Sequence, residues 1–252
     1  MPANPTSRPV ALVTGAASGI GRATALLLGR EGARVACLDV QDAAVKETAA
    51  TIVAAGGSAE AFVLDLLQPD SIVPTVATAT QALGGFDILV NAAGIGGFKR
   101  TEEVALADWN RILAVNLTGT FLMCQAAIPT MIAAGRGSIV NISSTAGIKG
   151  TPFGSAYAAS KGGVSLLTRS LAVEFCKQKI RVNAVCPGGI LTPILLGFDP
   201  TGFDMDLLAV VRNPSGTMGQ PEDVARLIAF LASDAAAYIT GVTYPIDGGT
   251  AA

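Results

Sequence analysis

The chain contains no histidine. That excludes a Ser-His-Asp triad, a Cys-His pair and every histidine-dependent metal site. Any proton transfer must run through tyrosine, lysine, a carboxylate, a thiol or a chain of waters, and no metal site is expected. Charge is scarce as well: 14% of the 252 residues are charged and the net charge is −2, which leaves no basic field for nucleic acid. The cysteines are Cys37, Cys124, Cys176 and Cys186, with no C-x-x-C pair. Neither a zinc knot nor a disulfide framework is suggested, and a reduced, cytoplasmic setting is the simplest. Met1 to Arg8 carries polar residues and two prolines where a secretory leader needs an apolar core. The apolar stretch from Ile112 to Ala134 is broken by Asn116, Thr118, Gln125 and Pro129, so it reads as a buried or interface helix rather than a membrane span. Linkers and low-complexity tracts are missing too, which points to one domain over residues 1–252.

What the chain does have is apolar bulk: 50% of its residues are hydrophobic, enough to bury a large α/β core. Short apolar runs alternate with helical patterns from end to end. Strands are expected at Val10–Thr14, Arg34–Asp39, Ala59–Asp65, Phe86–Asn91, Gly137–Ser143, Arg181–Cys186 and Thr243–Ile246. Helices are expected at Gly19–Arg30, Asp42–Ala55, Pro69–Leu83, Ser155–Lys177 and Pro221–Ser233, with a short and then a long helix over Thr101–Ala134. Such alternation predicts a parallel sheet with helices on both faces. The continuously apolar Ile88-Leu89-Val90 fits a strand covered on both sides. One long irregular stretch, Gly188 to Met218, carries several prolines, and a loop of that length in a compact domain reads as a lid.

The first strand runs into Thr14-Gly15-Ala16-Ala17-Ser18-Gly19-Ile20-Gly21. Glycines there let the backbone turn sharply and approach a pyrophosphate, and the helix that follows offers free N–H groups and the positive end of its dipole. The G-x-x-x-G-x-G spacing differs from the general G-x-G-x-x-G fingerprint. Asp39 ends the second strand, with Val40 and Gln41 rather than a cation behind it. A carboxylate there accepts from ribose hydroxyls and repels a 2′-phosphate, favouring NAD over NADP.

Tyr157 and Lys161 stand at i and i+4, on one face of a helix. A free phenol is almost fully protonated at neutral pH. A cation at about 4 Å contributes roughly 4 kcal/mol at an effective dielectric of about 20, enough to bring a tyrosine towards neutral titration.

These residues occur in a characteristic order: Thr14-Gly-x-x-x-Gly-Ile-Gly21, Asn91-Ala-Ala-Gly94, Asn116, Ser144, Tyr157-x-x-x-Lys161 and Pro187-Gly188. In that order the chain resembles the short-chain dehydrogenase/reductase family in its single-domain form, over nearly its whole length. The resemblance implies a Rossmann-type, doubly wound, seven-stranded parallel sheet. It also implies NAD-dependent exchange between a secondary alcohol and a ketone.

The resemblance assigns roles as well. Gly15, Gly19 and Gly21, with Ser18 and Ile20 in the same turn, would hold the pyrophosphate. Asp65 and Leu66 would lie beside the adenine, Asp65 having a helix cap as its alternative. Asn91, Ala92, Ala93 and Gly94 would stabilise the sheet and flank the adenosine, with Val115 as a wall. Pro187, Gly188, Ile190 and Thr192 would border the nicotinamide. Tyr157 would be the general acid/base, and Lys161 would lower its pKa and bind the ribose. Ser144 would hold the substrate oxygen. Asn116 would kink its helix and hold a water through its main-chain carbonyl. Successive strand residues face opposite ways, so only one of Ser143 and Ser144 reaches substrate. The family's spacing selects Ser144, with Ser143 the alternative.

The presumed lid carries Leu191, Ile194, Leu195, Leu196, Phe198, Phe203, Met205, Leu207 and Leu208. With Ile95–Phe98 and Thr145–Phe153 as further candidate walls, that lining suggests an apolar, alicyclic or steroid-like small-molecule substrate, the alternative being that these residues pack the lid onto the body. Lys99, Lys149 and Arg212 could meet an anionic group, and the favoured alternative for each is a solvated surface charge. A 3-oxoacyl-thioester reductase and a non-catalytic dinucleotide-sensing protein are the alternatives. The resemblance also implies a homotetramer, and the small residues Ala156, Ala158, Ala159, Gly162 and Gly163 permit close helix contact.

Overall fold

The structure is a computed structural model that describes residues 8–252; of the Met1–Arg8 segment, only Arg8 falls among the described residues. Seven strands form one sheet: β1 (Val10–Thr14), β2 (Arg34–Asp39), β3 (Ser58–Val63), β4 (Ile88–Asn91), β5 (Gly137–Ile142), β6 (Ile180–Pro187) and β7 (Thr243–Ile246). Their spatial order is β3-β2-β1-β4-β5-β6-β7, and every neighbouring pair is parallel. The order reverses between β1 and β4, the switch point at which such sheets bind ligands beyond their carboxyl ends.

The two faces follow from strand alternation. Ala11, Val13, Val35, Val90 and Val185 bury one way, against α1 (Gly19–Arg30), α2 (Asp42–Ala54) and, further along the chain, the helix at Pro221–Ala232. Val10, Leu12, Leu38, Leu89 and Ile139 bury the other way. They meet α3 (Pro69–Leu83), the helix at Gly119–Ala134 and the helix at Ser155–Phe175. Leu12 and Val13 are each fully buried, and each such side chain contributes about 1.5–3 kcal/mol.

The Thr101–Ala134 segment is more broken than the sequence suggests. A 3-10 turn at Thr101–Glu103 precedes α4 (Leu106–Leu113), a single π turn spans Ala114–Thr118, and α5 (Gly119–Ala134) completes the run. The kink expected at Asn116 is therefore a π bulge, a widened turn often found at functional sites. By length and composition Leu106–Ala134 could cross a membrane, with 44% of its most apolar window buried. It packs instead on α3 and on α6 (Ser155–Phe175).

The stretch expected to be irregular holds two short helices, α7 (Pro193–Leu196) and α8 (Met205–Ala209). Pro193 opens α7, where its missing N–H costs nothing, and the Asp204 carboxylate caps α8 by accepting from Asp206 and Leu207. Ile190 pairs with Gly219 in an isolated bridge, which closes the segment at its neck before α9 (Pro221–Ala232).

Candidate active site

A cavity of about 630 Å³ lies along the carboxyl ends of the strands. Gly15 sits at its floor with φ +70°, and a Cβ there would come 2.7 Å from the Ala93 nitrogen. A Cβ on Gly21 would collide with the Gly15 carbonyl. Glycine at both places is thus a packing requirement, and it leaves backbone open to a ligand. Ser18 precedes α1 without capping it through its side chain, so the first-turn N–H groups have no such partner. Ser18, Gly19, Ile20 and Gly21 all line the cavity.

Asp39 lines the same end. One carboxylate oxygen accepts from the Ala17 N–H at 3.1 Å and the other from Gln41 at 3.0 Å, which fixes the group at the rim. Asp65, Leu66 and Val115 stand at this end too, and Asp65 accepts from the Leu67 N–H at 2.9 Å, forming a local turn. The glycine cradle, the uncapped helix end and the rim carboxylate together fit a dinucleotide.

Ala92, Ala93 and Gly94 form the next part of the wall, but Asn91 does not reach the cavity. It is 3% exposed, and its amide donates to Asn141 at 2.9 Å. As the last residue of β4 it turns into the sheet-helix interior, so of the two roles expected for its segment the geometry gives Asn91 the sheet-stabilising one and leaves the cavity to Ala92, Ala93 and Gly94. Thr14, given no role by the motif reading, does more here. Its hydroxyl accepts from both the Ala92 and Ala93 N–H groups at 3.1 Å and so ties the wall to β1.

Asn116 is fully buried and also lies off the cavity wall. Its side chain accepts from Ile95 N–H at 2.8 Å and donates to Ile95 carbonyl at 3.0 Å and to Ser160 at 3.1 Å. Its main-chain carbonyl accepts the Thr120 hydroxyl at 2.8 Å. Gly94 separates it from Lys161: a Cβ on Gly94 would sit 3.3 Å from Asn116 Oδ1 and 3.4 Å from Lys161 Nζ.

Ser144, Tyr157 and Lys161 meet at the wall. Ser144 follows β5 and accepts from Ala146 N–H at 3.1 Å. Its neighbour Ser143 donates to the Lys161 carbonyl at 2.8 Å and meets Ser165 at 2.8 Å, so it is engaged with α6. Lys161 Nζ donates to the Ile142 carbonyl at 2.7 Å and lies 5.8 Å from the Tyr157 ring centroid. Burial pushes the Tyr157 phenol above its ordinary value, and the nearby Ser144 hydroxyl pulls it back. Burial likewise lowers Lys161 to about 8, opposed by Cys186. In this geometry the phenol moves upward rather than down as expected, because desolvation is its largest influence. The ammonium is over the ring face and bonded elsewhere, and desolvation works against both charged forms.

Pro187, Gly188, Ile190 and Thr192 border this end. Beyond them the wall turns apolar, with Phe98, Pro152, Ile194, Leu195, Phe198 and Leu208. Of the other lid residues, Leu196, Met205 and Leu207 are exposed. Of the three candidate cations, Lys99 is paired with Asp108 at 2.6 Å and Lys149 with the Thr250 carbonyl at 2.7 Å, so these two are engaged. Phe98, whose ring lies 5.8 Å from that of Tyr157, belongs to the Ile95–Phe98 stretch offered by the sequence as a candidate wall, and both of these residues line the cavity.

Fold and cavity define a doubly wound α/β protein whose cavity at the switch point fits a dinucleotide. A family model described as enoyl-(acyl carrier protein) reductase matches residues 15–251. The 2-(S)-hydroxypropyl-CoM dehydrogenase 3 of Xanthobacter autotrophicus is 39% identical over 99% of both chains. The 2,5-dichloro-2,5-cyclohexadiene-1,4-diol dehydrogenase of Sphingobium indicum is 42% identical over 98% of both. The crystal structure of levodione reductase superposes with a TM-score of 0.90 at 35% identity, covering 96% of this chain and 97% of that one. The chain belongs to the short-chain dehydrogenase/reductase family and is an oxidoreductase acting on CH–OH groups, in a family that generally uses a nicotinamide dinucleotide.

Proposed function

We propose that the protein is an NAD-dependent dehydrogenase that interconverts an apolar, alicyclic or steroid-like secondary alcohol and its ketone. The observation that carries this reading is the meeting of Ser144, Tyr157 and Lys161 on one cavity whose far end bears the glycine cradle and Asp39. Gly15, Ser18–Gly21, Asp39, Asp65, Leu66, Ala92–Gly94, Val115, Pro187, Gly188, Ile190 and Thr192 would hold the dinucleotide, which when bound supplies the hydride acceptor or donor.

The chain's own residues handle the proton. Ser144 donates a hydrogen bond to the substrate oxygen. In oxidation, deprotonated Tyr157 takes the alcohol proton, and in reduction protonated Tyr157 returns one. Burial favours the protonated phenol, while the Lys161 ammonium favours the ionised one. Asn116 acts from behind, holding the Ile95 backbone and Ser160. Residues 188–218 act as the substrate lid on a single domain.

Asp39 disfavours an NADPH-linked 3-oxoacyl-thioester reductase, and the intact Ser144-Tyr157-Lys161 set disfavours a non-catalytic sensor. Exposed Phe121 and Ile132 on α5 and Leu166 and Val173 on α6 support burial between copies, in line with a homotetramer in the cytoplasm. Sedimentation showing a stable monomer would contradict that assembly.

The reading is tested with a panel of secondary alcohols and ketones and NAD(H) or NADP(H), followed at the reduced-nicotinamide absorbance. Turnover of apolar secondary alcohols with a preference for NAD is the expected result. NADH binding without turnover of any member would favour the sensor.

A further inference from the structure

Four half-buried phenylalanines form a continuous chain next to Tyr157. Phe98, in the loop after β4, lies 5.8 Å from the Tyr157 ring and 5.0 Å, edge to face at 70°, from Phe198 of the lid. Phe198 lies 5.9 Å from Phe203 of the same lid, and Phe203 stacks at 4.3 Å and 7° on Phe153, just before α6. Only the inner pair, Phe98 and Phe198, lines the cavity; Phe153 and Phe203 lie outside its wall. Three segments far apart in sequence are thus joined ring to ring. Hydrogen bonds stitch the same seam: the Lys99 N–H donates to the Phe153 carbonyl at 2.8 Å, and the Arg100 guanidinium donates to the Gly202 carbonyl at 2.8 Å.

Phe153 has φ +60°. A bulky residue holds that left-handed conformation only when its surroundings over-determine it, and such positions cluster at functional sites. Here the surroundings are the Phe203 stack and the Lys99 bond. The outer pair therefore braces the lid so that the inner pair stays beside the phenol. The lid also lies close on the loop after β4, since a Cβ on Gly96 would meet Ile194 at 2.9 Å. This one cavity of about 630 Å³, continuous from Asp39 to Phe198, must hold both dinucleotide and substrate, so little of it remains at the Tyr157 end.

We propose that Phe98, with Phe198 opposite, sets the substrate's size. The slot beside Tyr157 takes a secondary alcohol or ketone on one six-membered carbocycle and shuts out fused polycycles, with Phe153 and Phe203 as the outer brace. This rests on the dehydrogenase reading above and narrows it. Aromatic faces and edges suit the C–H surface of a saturated ring, and a closed wall rejects added ring carbons by clash.

The test compares cyclohexanol with the fused two-ring 2-decalol in steady-state turnover. It also titrates cyclohexanone and 2-decalone calorimetrically into the NADH-loaded protein. The single ring should be preferred in kcat/KM by about tenfold or more, and Phe98→Ala should cut that preference by about tenfold, chiefly through gain on decalol. Phe198→Ala should move the ratio the same way, and NADH affinity in both variants serves as the check on folding. Equal kcat/KM for the two alcohols in the parent protein, or a ratio that neither variant changes, overturns the proposal. Failure of both ring ketones to bind while NADH binds overturns it as well. In that case, oxidation of the open-chain 2-octanol by the same preparation leaves the dehydrogenase reading standing, and its absence removes that reading too.

Discussion

Asn116 and Ser160 meet across 44 residues of chain, the Asn116 amide donating to the Ser160 hydroxyl at 3.1 Å. Ser160 in turn donates to the Tyr157 carbonyl at 2.7 Å. The π turn of one helix is thereby fastened to the turn of α6 that carries Tyr157 and Lys161. Because the same amide spans both backbone groups of Ile95, one buried side chain joins three walls of the cavity.

Replacing Asn116 by Ala removes the partner of the part-buried N–H and carbonyl of Ile95 and the donor to the buried Ser160 hydroxyl. Each such bond contributes about 0.5–1.5 kcal/mol, so urea denaturation should show a loss of a few kcal/mol together with reduced kcat. Ser160→Ala removes one neutral bond and should cost only about 1 kcal/mol. Equal, negligible losses in both variants would show that the fastening is energetically idle.

Tyr157→Phe keeps the ring and its contact with Phe98 and deletes only the hydroxyl. NADH affinity should persist while kcat drops by about 10²–10⁴-fold, the usual contribution of a general acid/base. A variant that keeps about a tenth of the parent kcat would place proton transfer elsewhere.

Asp39→Ala should weaken NAD and narrow the preference over NADP, because the rim carboxylate that would accept ribose hydroxyls and repel a 2′-phosphate is gone. Paired kcat/KM values for the two cofactors measure this. An unchanged ratio would mean that the carboxylate serves only its bonds to Ala17 and Gln41.

Stability should fall in alkali from about pH 9 upwards. Burial raises the Cys37 and Cys124 thiols from 9.0 to about 12, so unfolded chains lose protons that the folded protein keeps. The stability these thiols contribute is complete below 9.0 and is lost as pH rises towards about 12. Lys161, lowered from 10.5 to about 8, works in the opposite sense: its unfolded form keeps the extra proton between those values, so folding is relatively favoured as pH rises. Two buried thiols outweigh one amine above pH 9, and Cys37→Ala combined with Cys124→Ala should flatten the decline in denaturant midpoints. An equally steep decline in that double variant would assign it to other groups.

Local elements were legible because their signals are local. The bounds expected for β1, α1 and β2 coincide with those observed, since an apolar run, a glycine turn and a helical period lie within a few residues of each other. β3 was displaced, ending at Val63 rather than Asp65. As an edge strand it has a partly exposed pattern and lacks the two-sided burial that marks a central strand. The short helices of the lid were missed because one turn of helix leaves almost no periodic signal. Asn91 was read as both stabilising the sheet and flanking the cofactor because its motif ends at the ligand edge, and only the packing of β4 against β5 and α5 decides for the first, sending its amide inward to Asn141 and Cys124.

The amino-acid order by itself determined the chemical inventory. It supplied a histidine-free chain with a glycine turn after an apolar strand, an acid at the end of the second strand, and a phenol and an amine on one helical face. These depend on residue type and short spacing, which survive without coordinates. Tertiary structure alone decided which serine is engaged with α6, how far the Lys161 ammonium stands from the phenol ring, which way burial moves both groups, and which phenylalanines close the cavity. Those outcomes depend on desolvation and on distances between segments that are remote in sequence, and such quantities exist only once the sheet has brought the segments together.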